Sequence, residues 1–319
     1  MTPLRVGTRG SALALAQARW VADRLAGAEI VEIVTSGDRA RGTGDKSRWV
    51  DAIEAALLAG EIDLAVHSAK DVPGTLADGC ALVATPPRAS AADVLVRGAG
   101  AEANAAGRHG HVAGAQAGPQ SAAATPLASL PEGARVGTSS LRRTAQLLSV
   151  RPDLEVVELR GNVDTRLRKL DAGEADAIVL AAAGLERLGL ERDAMPLGFV
   201  PAPGQGTLAI EARADDERAR AAVEVVHHAA TFADLEAERA AVGVLGATCH
   251  TPVGIHARDG TIRGFVGLPD GSAWVADELS EADGEALARR MLVAGAGELL
   301  AQAEAEPVRS AEVRALRPR

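Results

Sequence analysis

The chain has no tyrosine, and its 319 residues include only three phenylalanines and three tryptophans. A protein that grips single-stranded nucleic acid by stacking bases needs more rings than that. Cysteine is almost missing. Cys80 and Cys249 lie far apart, which excludes a disulfide framework and the close spacing of a zinc site. A reducing compartment is expected. No uninterrupted apolar stretch reaches the ~20 residues that a membrane-spanning helix needs. Met1–Val6 lacks the basic-then-apolar layout of a leader, so a cytoplasmic location is expected. No phosphate loop of the GxxxxGK(S/T) kind occurs, so nucleotide binding is not indicated. Positive charge is in deficit: 34 Lys and Arg face 43 Asp and Glu, for a net charge of −9. That balance argues against nucleic acid or an anionic membrane held by bulk charge.

What is present is ordinary for a globular chain: 47% hydrophobic and 24% charged residues. The length implies two or three domains. Strand-like and helix-like runs alternate first. Leu4–Thr8 reads as a strand. A helix capped by Ser11 runs to about Leu25, with Leu13, Ala16, Trp20 and Leu25 near one face. Ile30–Thr35 reads as a strand, 46–59 as a helix with Trp49, Ile53, Ala56 and Leu57 inward, and Ile62–His67 as a strand. This rhythm predicts a parallel or mixed sheet covered by helices. A second series begins at Arg135: strands Arg135–Thr138, Leu154–Leu159 and Ala177–Ala181, and helices Ser139–Val150 and Asp164–Leu170. Thr207–Ala212 is a later strand that could return to the first sheet. The last third reads as a helix over about 233–244, three short strands near 253–258, 261–267 and 273–279, and one helix over about 283–304. Residues 98–128 are dense in Ala, Gly and Gln. Such a segment buries too little surface to offset its ordering entropy, and a solvated insertion is expected. It contains His109 and His111, for which a solvated loop is favoured over a metal site.

Polar groups cluster where strands give way to helices, which is where α/β sheets bind ligands. Arg9 and Ser11 follow the first strand, where a helix start and a guanidinium would both favour an anion; a capped helix beside a solvated arginine would look the same. His67-Ser68-Ala69-Lys70-Asp71-Val72-Pro73 puts a carboxylate beside an ammonium at a strand end. A surface ion pair is the plain alternative. Thr138-Ser139-Ser140-Leu141-Arg142-Arg143 sets hydroxyls and two guanidiniums at a helix start, and arginine's planar fork suits a carboxylate. Arg160, Asn162 and Arg166 surround a further turn, and Arg187 follows Ala183-Gly184-Leu185. An acidic chain that gathers arginines at ligand-facing ends suggests a substrate with several carboxylates. Cys249, in Ala247-Thr248-Cys249-His250-Thr251-Pro252, lies on a helix-to-strand turn; taken alone, a buried small hydrophobe is the usual reading.

The strings TRGSALALAQA, AVHSAKDVP, VGTSSLRR, LRGNVDTRL, DAIVLAAAGLERLG, PAPGQGTLAIE and ATCHTPVG occur in this order. Together they resemble the hydroxymethylbilane synthase (porphobilinogen deaminase) family from about Leu4 to beyond Trp274. The resemblance implies a dipyrromethane cofactor held by Cys249 as a thioether, and Asp71 as the catalytic acid that assists amine loss and stabilises the azafulvenium cation. It implies that Lys70, Thr138, Ser139, Arg142, Arg143, Arg160, Asn162 and Arg166 bind the cofactor. Arg9, Ser11, Lys46, Trp49, Arg187 and Gln205 are implied on the substrate side. Family members often carry a GKGLF run before the second helix. Here Asp45-Lys46-Ser47-Arg48-Trp49 takes its place, after a loop at 36–45 that resembles the family's lid. Thr248 stands where glycine is common.

The expected fold is α/β: two periplasmic-binding-protein-like domains and a small C-terminal α+β domain with a three-stranded antiparallel sheet. The expected boundaries are 1–97 with 202–217, 98–201 with the insertion at 98–128, and 218–319. The expected reaction is stepwise condensation of four porphobilinogens with loss of ammonia, then hydrolysis to hydroxymethylbilane, as in tetrapyrrole and heme biosynthesis. No metal is expected, and the protein should be a monomer with neither nucleic acid nor membrane as partner. Two other classes fit part of the pattern. A non-catalytic two-lobed protein for a polycarboxylate would explain the arginines but not Cys249 with Asp71. A cysteine hydrolase would use Cys249 with His250, although adjacent residues seldom point at each other.

Overall fold

The computed structural model describes residues 2–25, 27–35, 50–98, 126–248 and 251–305. Lys46, Trp49, Cys249, the 36–45 loop, and His109 and His111 within the insertion lie outside the described residues.

Three sheets organise these residues. The first domain contains β1 (Arg5–Thr8), α1 (Ala12–Ala22), β2 (Glu29–Glu32), α2 (Asp51–Leu58), β3 (Leu64–Ser68) and β4 (Cys80–Ala84). Strand β1 pairs in parallel with β2, Arg5 opposite Glu29, and with β3, Val6 opposite Leu64. Helix α1 starts where Ser11 Oγ accepts the amide of Ala14 at 3.3 Å. Its buried face is Gln17, Ala18, Val21 and Ala22, not the expected Leu13, Ala16 and Trp20. Leu13 is on the wall of the interdomain cleft, and Trp20 stays outside with the Arg24 guanidinium 3.7 Å from its ring centre.

The second domain contains β5 (Asp93–Arg97), β6 (Arg135–Gly137), α3 (Leu141–Val150), β7 (Glu155–Val157), α4 (Val163–Asp171), β8 (Ala177–Ala181), α5 (Ala182–Arg187) and β9 (Ala194–Leu197). Its sheet order is β7-β6-β8-β5-β9. Strand β5 therefore belongs to the second sheet, antiparallel to β8 with Asp93 opposite Ala181. It lies within 1–97, the stretch expected for the first domain. Only three apolar residues, Val94 to Val96, separate Asp93 from Arg97, a run too short to announce a central strand. Leu127 and Leu130 pack into this domain's core at 0% and 4% exposure, so the end of the expected insertion is structural.

The chain returns over 198–207 to β10 (Leu208–Arg213), which inserts antiparallel between β3 and β4. This is the return to the first sheet that the sequence pattern suggested. Two crossings therefore join the first two domains. Helix α6 (Glu217–Val223) packs Ala219 and Val223 into the core of the first sheet, and the third domain has α7 (Ala229–Leu245), β11 (Val253–Arg258), β12 (Thr261–Gly267), β13 (Trp274–Leu279), α8 (Gly284–Val293) and α9 (Ala296–Ala305). Strands β11, β12 and β13 form the expected antiparallel sheet. The one helix expected at 283–304 is two, parted at Ala294-Gly295. Residues of α7, α8, α9, β11 and β12 share one apolar core.

All three domains meet at the return crossing. Glu238 of α7, fully buried, accepts from Arg88 Nη1 at 2.7 Å, Gly204 N at 2.6 Å and Ala257 N at 2.8 Å. Removing one partner of such a buried pair costs about 3–5 kcal/mol, because the other charge stays behind. Gly204 and Gly206 have φ of +73° and +85°. A Cβ at Gly206 would lie 2.5 Å from the Ala89 carbonyl oxygen on the outward crossing. Gly206→Ala should thus lower the urea midpoint, with left-handed strain alone costing about 1–3 kcal/mol and the backbone clash adding to it. A midpoint equal to the parent's would show that the crossings can separate freely.

Candidate functional site

Between the first two domains lies a cleft of about 450 Å³, counting its open mouth. Both lobes supply its wall. Leu13, Gln17, Ser68 and Lys70 come from the first, Arg143, Val163, Arg166, Leu180 and Arg187 from the second, and Gly206 from the return crossing. Four of the expected residues, Lys70, Arg143, Arg166 and Arg187, share this one wall. The strand-end turns put them there. Lys70 lies in a single 3-10 turn, Ala69–Asp71, directly after β3. Arg166 stands in the first turns of α4, and Arg187 ends α5.

Burial changes these cations. It lowers Lys70 to about 8, and the charges of Arg143 and Arg142 push the same way while Asp71 opposes. Burial lowers Arg166 to about 10, with Arg143 adding to the fall and Asp71 countering it. Arg187 also drops to about 10 through burial. Its Nη2 donates to the Gly206 carbonyl at 2.6 Å. Arg166 donates from Nε to Gly161 O at 2.8 Å and from Nη2 to Ser139 Oγ at 3.2 Å. Arg166 and Arg187 are held by the backbone or a hydroxyl, which orients them before a ligand arrives.

The other expected residues are placed differently. Asp71 is exposed beside Lys70, and its charge reaches Lys70 and Arg166. Arg9 is half-buried at the β1–α1 junction, and Ser11 uses its hydroxyl on the helix cap. Ser139 is exposed and accepts from Arg166; the Thr138 hydroxyl accepts the Ser140 amide at 3.2 Å. Arg160 points to water, its side chain 52% exposed and paired with Glu158, while Asn162 is exposed at the start of α4 without capping it. Neither lines the cleft.

Arg142 and Gln205 are turned to partners inside the protein. Both are buried, at 4% and 1% exposure, and neither is on the cleft wall. Arg142 Nη1 donates to Asp93 Oδ2 at 2.6 Å and Val200 O at 2.8 Å. Gln205 Nε2 donates to Ala91 O at 2.7 Å and Asp93 Oδ1 at 2.9 Å. Sequence reasoning treated the paired arginines and Gln205 as ligand-facing, because a buried acceptor for them was not visible. That acceptor, Asp93, is fully buried. Burial pushes its carboxyl up, but the Arg142 and Arg143 guanidiniums outweigh it and hold it well below the usual carboxylate range. Gln17, Ser68 and Leu13 were also missed. Gln17 sits inside the first matching string, and a glutamine among alanines and leucines on an inward helix face was the available signal. Among the described residues, no group of three His, Cys, Asp or Glu side chains gathers where it could hold a metal ion. No described helix is long and apolar enough to cross a membrane.

Residues 4–221 match the family described as porphobilinogen deaminase, dipyromethane cofactor binding domain. Porphobilinogen deaminase of Deinococcus radiodurans is 43% identical, across 94% of this chain and 98% of that protein. The Thermus thermophilus protein of the same name is 43% identical, across 93% and 98%, and that of Brevibacillus brevis 41%, across 93% and 96%. Among solved structures, a Salmonella typhimurium periplasmic binding protein with high arginine specificity aligns at 14% identity and a TM-score of 0.38, across 70% of this chain and 92% of that one. An alkanesulfonate-binding protein from Xanthomonas axonopodis aligns at 16% and 0.34, across 76% and 74%.

The lowered Lys70 ammonium has a measurable consequence. In the free protein it gives up its proton as pH rises through about 8. A bound carboxylate favours the charged form and raises that value again. Binding of a polycarboxylate should therefore take up a proton near pH 8, and affinity should fall between about pH 7 and about pH 9. Calorimetry in buffers of different ionisation enthalpy measures this uptake. Lys70→Met should abolish it; uptake that persists in the variant would assign it elsewhere.

Proposed function

The chain belongs to the porphobilinogen deaminase family, and from that premise we propose which of its residues carry the reaction. The enzyme is a transferase. It condenses four porphobilinogens with loss of ammonia on a covalently held dipyrromethane and releases hydroxymethylbilane by hydrolysis. The observation that carries the residue assignment is the cleft wall, where an acidic chain brings Lys70, Arg143, Arg166 and Arg187 together.

The cleft suits an oligopyrrole. Its cations match acetate and propionate groups, and Leu13, Val163 and Leu180 offer apolar surface to rings. Gln17 adds a side-chain Nε2 that is buried without a hydrogen-bond partner. Such an orphaned donor costs roughly 1–3 kcal/mol unless a ligand satisfies it. Lys70, Arg143 and Arg166, with Ser139 behind Arg166, would hold the cofactor's carboxylates, and Arg187 and Gln17 those of the substrate. Cys249 is the attachment point, acting as thiolate when the thioether forms. Once attached, the dipyrromethane supplies the nucleophilic pyrrole carbon.

Asp71 is exposed next in sequence to Lys70, whose side chain is on the cleft wall. As the acid it protonates the departing amine of porphobilinogen, and as the carboxylate it offsets positive charge left on the pyrrole. The guanidiniums hold the substrate's two carboxylates, which orients the reacting carbon and removes much of the entropy of encounter. We further propose three domains, built on the three sheets and divided near 85–92, 198–207 and 214–228. We propose monomeric action in the cytoplasm; the acidic net charge speaks against nucleic acid or an anionic membrane as partner.

Two measurements test the assignment. Protein made with porphobilinogen available should exceed its sequence mass by one dipyrromethane unit, and Cys249→Ser should lose that increment. An unmodified parent protein would remove Cys249 from its role. Asp71→Asn should keep the increment while turnover falls by roughly a hundredfold to ten-thousandfold. Turnover near the parent's would take the acid function away from Asp71.

A further inference from the structure

Arg143 reaches the cleft with its orientation already fixed from behind. Asp93 Oδ1 accepts from its Nε at 3.0 Å and its Nη2 at 2.7 Å, and Val179 O accepts from its Nη1 at 2.9 Å. Three of the five N–H groups are engaged, and the remaining two are those a ligand carboxylate can use. Asp93 lies outside the cleft wall, fully buried at the first position of β5, directly after the outward crossing. It also accepts from Arg142 Nη1 at 2.6 Å, and from Gln205 Nε2 at 2.9 Å. Gln205 belongs to the return crossing. Its neighbour Gly204 packs so closely on the Asp71 turn that a Cβ there would lie 2.8 Å from Lys70 N.

We propose that Asp93 is a positioning residue for carboxylate binding. It aims Arg143 into the cleft, and through Gln205 it ties that aim to the crossing that backs Lys70 and Asp71. It also cancels one of the two arginine charges. An incoming carboxylate therefore meets a directed pair of donors in place of a doubled, loosely held charge. The inference rests on the family reaction, and parent enzyme without turnover would count against that reaction and not against Asp93.

Asp93→Glu keeps the charge and moves it by one methylene. In holoenzyme verified by mass, KM for porphobilinogen should rise about tenfold or more, since small misplacements of binding groups are costly. The turnover number should change far less. Gln205→Met leaves all three charges in place, and should raise KM about threefold through loss of the hydrogen bond to Asp93, along with that to Ala91 O. Because Gln205 acts through Asp93, the double variant should match Asp93→Glu alone within about a factor of two. A merely structural role would shift the thermal midpoint and leave KM where it was. An unchanged KM in either folded variant overturns the proposal, as does a loss confined to turnover. If Asp93→Glu does not fold, the KM of Gln205→Met decides alone.

Discussion

A guanidinium withdrawn from water must find acceptors inside the protein, and the cleft of this chain is organised by that requirement. The effective penalty for burying an ion is several kcal/mol. A binding site for many carboxylates cannot leave its cations in open solvent, where each contact would be worth little. Nor can it bury them unaided. The solution here is to seat each arginine on backbone carbonyls: Val179 and Val200 under the Arg142–Arg143 pair, Gly161 under Arg166, Gly206 under Arg187. Carbonyls supply hydrogen bonds without cancelling charge. Only the deepest pair receives a full counter-charge, Asp93, where two guanidiniums lie together and their repulsion would otherwise be least screened.

The same requirement explains why the return crossing carries so much of the architecture. Its carbonyls and amides serve three bodies at once: Gly206 O holds Arg187, Gly204 N meets Glu238 of the third domain, and Gln205 O accepts from Arg88. A segment with this many backbone partners has no room for side chains. Gly204 and Gly206 are the sequence's answer, since any Cβ there would strike the backbone of Ala69–Lys70 or of Ala89–Ser90. The site is thus assembled from the sheets' strand ends and locked by a crossing that belongs wholly to neither lobe.

Much of this was readable from the amino-acid order. Periodicity placed β8 at Ala177–Ala181 and all three strands of the third domain within a residue, because those runs are bounded by turn residues and long enough to show their period. The clustering of Lys70, Arg143, Arg166 and Arg187 followed from their positions after strands. What stayed hidden was pairing across distance. Strand β5 has only three apolar residues between Asp93 and Arg97, and its centrality comes from β8 and β9, more than eighty residues later. Asp93 looked like any charge at the edge of an apolar run. Arg142 and Arg160 both sit in motifs rich in arginine, yet one is turned inward to Asp93 and the other outward to Glu158. Composition cannot tell these apart, since the difference lies in which carboxylate the fold brings near. The rotated face of α1 has a similar cause: Leu13 serves the cleft wall, so the apolar stripe covers two surfaces and its period misleads.

An acidic protein that binds an acidic substrate needs its attraction confined. Net charge governs the long-range field, and here it is negative. The cations act only inside the cleft, where their N–H groups are within bonding reach and the surrounding low dielectric strengthens each contact. Uniformly tight binding of every carboxylate would not speed the chemistry and would retain the product. A fixed set of directed donors inside an otherwise repelling surface avoids both problems. It favours a carboxylate that arrives in the right orientation and gives little to one that does not. The buried Asp93 fits this logic, because it trades raw charge on the arginine pair for a defined direction.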